Sequence, residues 1–499
     1  MNFLLAIDQG TTNSRAIIFD RLGNRMASHE MPLTSFFPQD GWIEQNPEEM
    51  FNNTVSCCRE ALKKANITAA NIAAVGLSNQ RETTILWEKY TGKPIYPAIV
   101  WQDRRTHLLC QQLKQTSFAQ LLSQKTGLLL DPYFSATKIV WLLDHIAETR
   151  ERAEKGELLF GTVDTYLLWK LTDGQSHATD ASNASRTLLF NIHTQEWDKE
   201  ILTYFNIPAN LLPIVLDNAA HFGKLDENIL GHSIPICGMA GDQQAATIGQ
   251  ACFQPGMVKA TYGTGGFMLF NTGTQVVRSQ NCLLSTVAYR LNNHVTYGLE
   301  GSIFCAGSTV KWLRDKLQLI HSAAETETLA QHIHSNEGVY LVPAFTGLGA
   351  PYWNAEARGA LFGLTRNSGK EHIARAALES VAYQTRDLLN AMLADSHQLI
   401  AALRVDGGMV ANHWLLQFLS DMLNVEIQQP VCIETSALGV AFLAGLQIGM
   451  YASLEELATL WQKQLQFNPH MPKLQRDTLY AAWQRAVKSV MDYSRMITT

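Results

Sequence analysis

FLLAIDQGTTNSRAIIFD, residues 3–20, decides the fold. Two apolar runs, FLLAI and AIIF, flank the turn residues Gly10, Thr11, Thr12, Asn13, Ser14 and Arg15, and an aspartate closes each run. Short apolar runs around a glycine turn read as paired, buried strands. Glycine lets the backbone approach a ligand closely. Clustered N–H groups and hydroxyls in a tight turn form an anion-binding concavity. Arg15 adds a fork that fits phosphate. Asp8, at the strand end, suits a Mg²⁺ ion beside phosphates. The turn therefore reads as a phosphate clamp on a β-hairpin. GxxxxGK[ST] is absent, so it is not a P-loop. An ordinary hairpin turn would use the same residues, and the reading needs support from elsewhere in the chain.

That support comes from three further segments. VKATYGTGGFMLF (258–270) again reads as strand, glycine turn, strand. LRVDGGMVAN (403–412) reads as a strand, an Asp-Gly-Gly turn and a helix start at Asn412, where a nucleotide can lie against bare backbone. PICGMAGDQQAATIG (235–249) places Asp242 between an apolar strand and a run of small residues. A carboxylate at a cleft mouth can take a proton from an alcohol. Asp is also a favoured helix N-cap, worth about 1 kcal/mol, and the local sequence leans slightly to that reading.

Strand-like and helix-like pieces alternate along the chain, which predicts an α/β protein. Residues 73–78 and 83–87 read as strands. Residues 47–65 open on Pro47 and acidic residues and close on lysines, as a helix does. Residues 371–395 carry Ile373, Ala377, Val381, Leu388 and Met392 at helical spacing, a core stripe. The apolar stretch 436–452 reads as a closely packed core helix and is too short for a membrane span. The opening hairpin has a counterpart in the second half, so we expect two domains, 1–250 and 251–499. Residues 446–499 read as a helical tail.

Composition narrows the function classes. At 499 residues two large domains are the natural expectation. A net charge of −6 argues against a nucleic-acid partner. Asp8 interrupts the only early apolar run, so no secretion signal or integral membrane segment is expected. Eight scattered cysteines, none in CxxC, fit a reducing cytoplasm. The fifteen histidines show no HExxH.

Together these elements resemble the actin-like ATPase superfamily. Within it, YFSATKIVW (133–141) and GLGAPYW (347–353) resemble the two signatures of the FGGY family of sugar and polyol kinases. SNQRETTILW, IVWQDRR, DPYFSATK, GTVDTYLLWKLT, NASRT and FTGLGAPYW resemble the glycerol-phosphorylating branch of that family. The resemblance implies two actin-like (ribonuclease H-like) α/β domains with an ATP cleft between them. It implies transfer of a phosphoryl group from ATP to glycerol, giving sn-glycerol 3-phosphate in glycerol catabolism. Arg81, Glu82, Tyr133, Asp242 and Gln243 then form the polar shell around glycerol, and Trp101 and Phe267 pack on its carbons. Nucleotide contacts fall on Thr11, Thr12, Asn13, Arg15, Thr264, Gly307, Gly408 and Asn412. Asp242 becomes the base, and Asp8 with Asp242 the Mg²⁺ carboxylates. A cytoplasmic homodimer or homotetramer is implied. Without the resemblance, Arg81-Glu82 is an exposed strand-end ion pair worth about 0–1 kcal/mol. A kinase for another polyol or ketose, such as xylulose or erythritol, is the alternative.

Overall fold

The structure is a computed structural model and describes residues 3–497. Two large sheets organise it. The first runs, in spatial order, Ala219–Leu225, Ile234–Gly241, Ile72–Asn79, Phe3–Gln9, Asn13–Asp20, Arg25–Pro32. The second runs Lys463–Phe467, Ile427–Pro430, Ala402–Asp406, Met257–Tyr262, Gly266–Gly273, His294–Ile303, Leu284–Leu291. Each sheet has an antiparallel hairpin at its centre, and the first strand of that hairpin pairs in parallel with a later strand. Each also ends in an antiparallel edge strand. The expected correspondence between the two glycine hairpins is thus a correspondence between whole sheets.

Burial explains the strand sequences. Leu4, Leu5, Ala6 and Ile7 are all fully buried, because helices cover both faces of the first sheet. The helix Pro47–Lys64 covers one face. Its N-cap Asn46 accepts from Glu48 N, and Glu48 and Glu49 in its first turn and Lys63 and Lys64 in its last complement the helix dipole. The helix Thr435–Gln447, from the second half of the chain, lies on the other face and crosses the helix Asp242–Gly249. The approach is close enough that a Cβ on Gly439 would stand 1.8 Å from the Ala245 carbonyl oxygen, and one on Gly76 2.1 Å from that of Val440. The small residues of SALGVAFLAG are what let this helix seat directly on strand and helix backbone.

The long helix Lys370–Ser396 buries Ala377, Val381, Leu388 and Met392 as its stripe predicts, with Ile373 half-buried at the margin. Two expectations need correction. The helix expected over 436–452 ends at Gln447, with Gly449 in the left-handed region two residues later. The expected helical tail contains a strand, Lys463–Phe467, which closes the edge of the second sheet before the final helix Lys473–Ile497. Only Leu465 and Phe467 of that strand are even half-buried, so its polar sequence carries little strand signal. All eight cysteines are free, Cys57 and Cys58 included. Among the described residues, no helix is long and apolar enough to cross a membrane.

Candidate active site

The opening hairpin has the predicted form. Asp8 stands opposite Arg15 and Gln9 opposite Ser14, and Gly10 N donates to Asn13 O across the turn at 2.9 Å. The second hairpin turns at Gly263–Gly265, and its tip docks on the start of the helix Gly307–Asp315. Gly307 N donates to Gly263 O at 2.9 Å, and Ala306 N and Ser308 N both donate to Thr264 O at 3.0 Å. The Asp-Gly-Gly turn lies alongside, because Ala402–Asp406 pairs with Met257–Tyr262. Gly407 has φ +92°, and a Cβ there would stand 2.5 Å from the Tyr262 carbonyl oxygen, so only glycine fits. Thr11, Thr12, Asn13, Arg15, Thr264, Gly307, Gly408 and Asn412 all retain contact with solvent, while Ser14 between them is fully buried. Asn412 caps the helix His413–Leu423 by accepting from Leu415 N at 2.9 Å.

Trp101 connects this region to a second cluster. Its indole Nε1 donates to Thr11 Oγ1 at 2.9 Å, and its ring packs edge-on against Tyr133 and Phe267 at centroid distances of 5.4 and 6.1 Å. Tyr133 is held by an Asx turn, with its N donating to Asp131 Oδ1 at 3.0 Å, and its carbonyl accepts from buried Lys138 Nζ at 2.7 Å. Arg81 Nη2 donates to Tyr133 OH at 3.1 Å, and Arg81 Nε lies 3.4 Å from Asp242 Oδ1 and 3.7 Å from Glu82 Oε1. Gln243 Oε1 accepts from Lys259 Nζ. The predicted acceptor residues therefore converge in one place.

The ion pairing differs from the expectation. Arg81 and Glu82 are 3% and 1% exposed, so the exposed-pair reading fails. Nor is Glu82 the main partner of Arg81. Arg81 donates to both oxygens of Glu300, at 2.5 and 2.8 Å, and Glu82 instead accepts from Arg186 Nε at 2.7 Å. Arg186 Nη2 also donates to Glu300 Oε1 at 3.1 Å, which closes a four-membered buried network. Sequence reasoning missed Arg186, Glu300, Lys259 and Glu434. The signal for two of them is a charge inside an apolar strand, in VKATY and LEGSI, since a buried charge requires a partner. Arg15 also differs: its guanidinium pairs with Glu434 of the second half and lies 3.3 Å from Glu30.

Asp242 is the first residue of its helix, not its N-cap; that position belongs to Gly241. Its carboxylate accepts from Gln243 N at 2.7 Å and keeps partial access to solvent. Burial raises its pKa, Arg81 lowers it and Glu82 raises it, and the balance is upward. Burial likewise lifts Asp8, to about 6, against the pull of Arg15 and with help from Asp242 and Glu434. Glu300 goes the other way: Arg186 and Arg81 overcome its burial and hold it at about 2. Asp8 and Asp242, neighbouring carboxylates that burial makes easy to protonate, are the chemistry that a divalent cation would fit, its charge offsetting the burial. Among the described residues, no group of three or more His, Cys, Asp or Glu could hold a metal ion. Mg²⁺ usually needs only one or two carboxylates beside phosphates and water.

Residues 3–249 match the model for the N-terminal domain of the FGGY family of carbohydrate kinases, and residues 258–448 that for its C-terminal domain. The chain is 59% identical over 491 residues to a glycerol kinase of Coxiella burnetii, covering 98% of each. It is 57% identical over 489 residues to glycerol kinase 1 of Pseudomonas aeruginosa, covering 98% of this chain and 99% of that relative. Its structure is similar to that of Plasmodium falciparum glycerol kinase with ADP, with a TM-score of 0.92, 37% identity and 98% coverage of each chain. A xylulose kinase from Lactobacillus acidophilus shares the fold at 22% identity, with a TM-score of 0.87 and coverage of 100% of this chain and 99% of that one.

Proposed function

Because the chain belongs to the FGGY family of carbohydrate kinases, we propose that its cleft carries the γ-phosphoryl group of ATP to a terminal hydroxyl of glycerol, giving sn-glycerol 3-phosphate and ADP. The protein is an ATP-dependent kinase acting on glycerol. The observation that carries the site assignment is the convergence of Arg81, Glu82, Tyr133, Asp242, Trp101 and Phe267 beside the first glycine hairpin.

Each residue has a role in that reading. Glu82 accepts a hydroxyl hydrogen. Arg81 and Tyr133 donate to hydroxyl oxygens, and Gln243, its carbonyl held by Lys259, offers its amide N–H. Trp101 and Phe267 cover the carbon chain. A site made of such bonds rejects an analogue lacking a hydroxyl far more strongly than an apolar pocket does. Asp242 takes the proton of the attacking hydroxyl, and its raised pKa makes it a better base than a solvated carboxylate. Thr11, Thr12, Asn13, Thr264, Gly307, Gly408 and Asn412 line the nucleotide side, with Arg15 on the phosphates. Asp8 and Asp242 would hold Mg²⁺, which supplies charge neutralisation on the transferring group. Positioning and electrostatics carry most of phosphoryl transfer.

The domain boundary belongs near 250, and the protein acts in the cytoplasm as a homodimer or homotetramer. A panel of alcohols in a coupled ADP-release assay tests the reading. Glycerol should give the highest kcat/KM, well above xylulose and erythritol, and a preference for either of those would overturn it.

A further inference from the structure

Adjacent Arg and Glu side chains in a buried site would ordinarily satisfy each other and leave little for a ligand. Here they do not. Arg81 Nε and Glu82 Oε1 stay 3.7 Å apart because each has a stronger partner from elsewhere. Arg186 holds Glu82 through Nε at 2.7 Å, and Glu300 holds Arg81 through both carboxylate oxygens. Of the five N–H donors of Arg81, two go to Glu300, one to Gln244 Oε1 at 3.3 Å and one to Tyr133 at 3.1 Å. The remaining one is on Nε, the nitrogen beside Asp242. With Arg186 on Oε1, the other Glu82 oxygen is left for an acceptor hydroxyl.

The surroundings hold these partners rigidly. Arg186 is fully buried and its guanidinium lies over the rings of Tyr133 and Phe134, at 5.7 and 5.4 Å. It follows the short helix Ala181–Ala184, which is tied to the strand Ile72–Asn79 by two amides that exchange hydrogen bonds. Asn79 Nδ2 donates to Asn183 Oδ1 at 3.1 Å, and Asn183 Nδ2 to Asn79 Oδ1 at 3.0 Å. Glu300 comes from the strand His294–Ile303 of the second sheet. The two Arg and two Glu charges cancel within the network, and Asp242 lies beside it under the pull of Arg81 and Lys259.

We propose that Arg186 and Glu300 are positioning residues for acceptor recognition: by occupying Glu82 and Arg81 they prevent that pair from neutralising itself, and they present one carboxylate oxygen and one N–H to the polyol. This rests on the acceptor site described above. The test is Glu300→Gln, which keeps shape and loses charge, and Arg186→Lys, which keeps charge and loses the fork. First the wild-type protein is run on an alcohol panel, and its preferred acceptor is used from then on. A preference other than glycerol refutes the substrate reading while leaving the positioning test intact. In both variants KM for the acceptor should rise at least tenfold while KM for ATP stays within twofold. The preference for glycerol over 1,2-propanediol should narrow at least threefold. A merely structural role would lower the thermal midpoint and the active fraction while leaving the acceptor KM and that preference unchanged. An acceptor KM within twofold of wild type in either folded variant overturns the proposal. So does failure of both to fold, which would assign the network to stability.

Discussion

Asp242→Asn separates chemistry from binding at the point where the proposed mechanism is most exposed. The substitution preserves shape and the local backbone bond, because an amide oxygen accepts from Gln243 N as the carboxylate does at 2.7 Å. That bond is worth about 1 kcal/mol, so the thermal midpoint should hardly move. Arg81 Nε, 3.4 Å away, keeps an oxygen to face. What is lost is the base. General-base catalysis contributes about 10²–10⁴-fold, or roughly 2.7–5.4 kcal/mol at 1.36 kcal/mol per decade. Turnover at saturating glycerol and ATP should fall within that range while both KM values stay within about threefold. The pH dependence gives a second readout. The base works only when ionised, so the wild-type rate falls as pH drops through its pKa. Burial raises that pKa above the ordinary carboxylate value in the protein free of metal and substrates, and kcat/KM reports the free enzyme, so the acid limb of kcat/KM for glycerol should lie above that value and should vanish in the variant. The assay is coupled ADP release from pH 4.5 to 9. A loss of less than about tenfold with glycerol affinity intact, or an acid limb that survives, would refute the role.

Three further outcomes are expected. Trp101→Phe keeps the aromatic wall but removes the 2.9 Å bond to Thr11, worth about 0.5–1.5 kcal/mol, so kcat/KM should drop roughly two- to tenfold for glycerol and ATP alike; an effect on one substrate alone would contradict the linkage. Asp8→Asn should raise the Mg²⁺ concentration for half-maximal rate at least threefold with glycerol KM unchanged, and an unaltered Mg²⁺ titration would remove Asp8 from the metal site. Gly439→Ala drives a methyl to within 1.8 Å of the Ala245 carbonyl oxygen. Overpacking of that kind costs about 1–3 kcal/mol, and each kcal/mol lowers the melting point by about 2–4 °C in domains of this size. Calorimetry should show a loss of about 2–12 °C; an unchanged midpoint would mean the helix pair separates easily.

The parts of the fold legible in the sequence are those with local causes. Apolar runs around Gly10 and Gly263, and the Asp-Gly-Gly turn after 406, specify hairpin and strand–turn–helix geometry within a dozen residues, and the structure has them there. The strand Lys463–Phe467 was not legible because it is a short edge strand whose alternation rests on only two apolar residues, Leu465 and Phe467, both only half-buried. The proposed acceptor residues were named through a resemblance and lie together in the structure, but their pairing was not legible. Glu300 lies 219 residues from Arg81 along the chain, and Arg186 lies 104 from Glu82. Nothing local in LEGSI names the partner of its glutamate. It only states that one must exist, since a carboxylate 1% exposed in an apolar strand is untenable alone. The same reasoning applied to Lys259 in VKATY would have pointed to a buried acceptor, which is Gln243.

The charges that bridge the two halves bear on why the enzyme has two domains. Arg81 belongs to the first half and Glu300 to the second; Arg15 belongs to the first and Glu434 to the second. In the proposed site, one bridge lies on the acceptor side and the other on the phosphate side. Water is smaller than glycerol and abundant, so a kinase that assembled its phosphoryl-transfer site before the acceptor arrived would hydrolyse ATP. If the geometry of Arg81 depends on a carboxylate from the other half, the acceptor site is complete only while the halves are together. Polyol binding then favours the closed cleft by its own bond energy, and closure excludes the competing nucleophile. Water, which cannot span Glu82, Arg81 and the aromatic wall at once, gains no such bonds and provides no such drive.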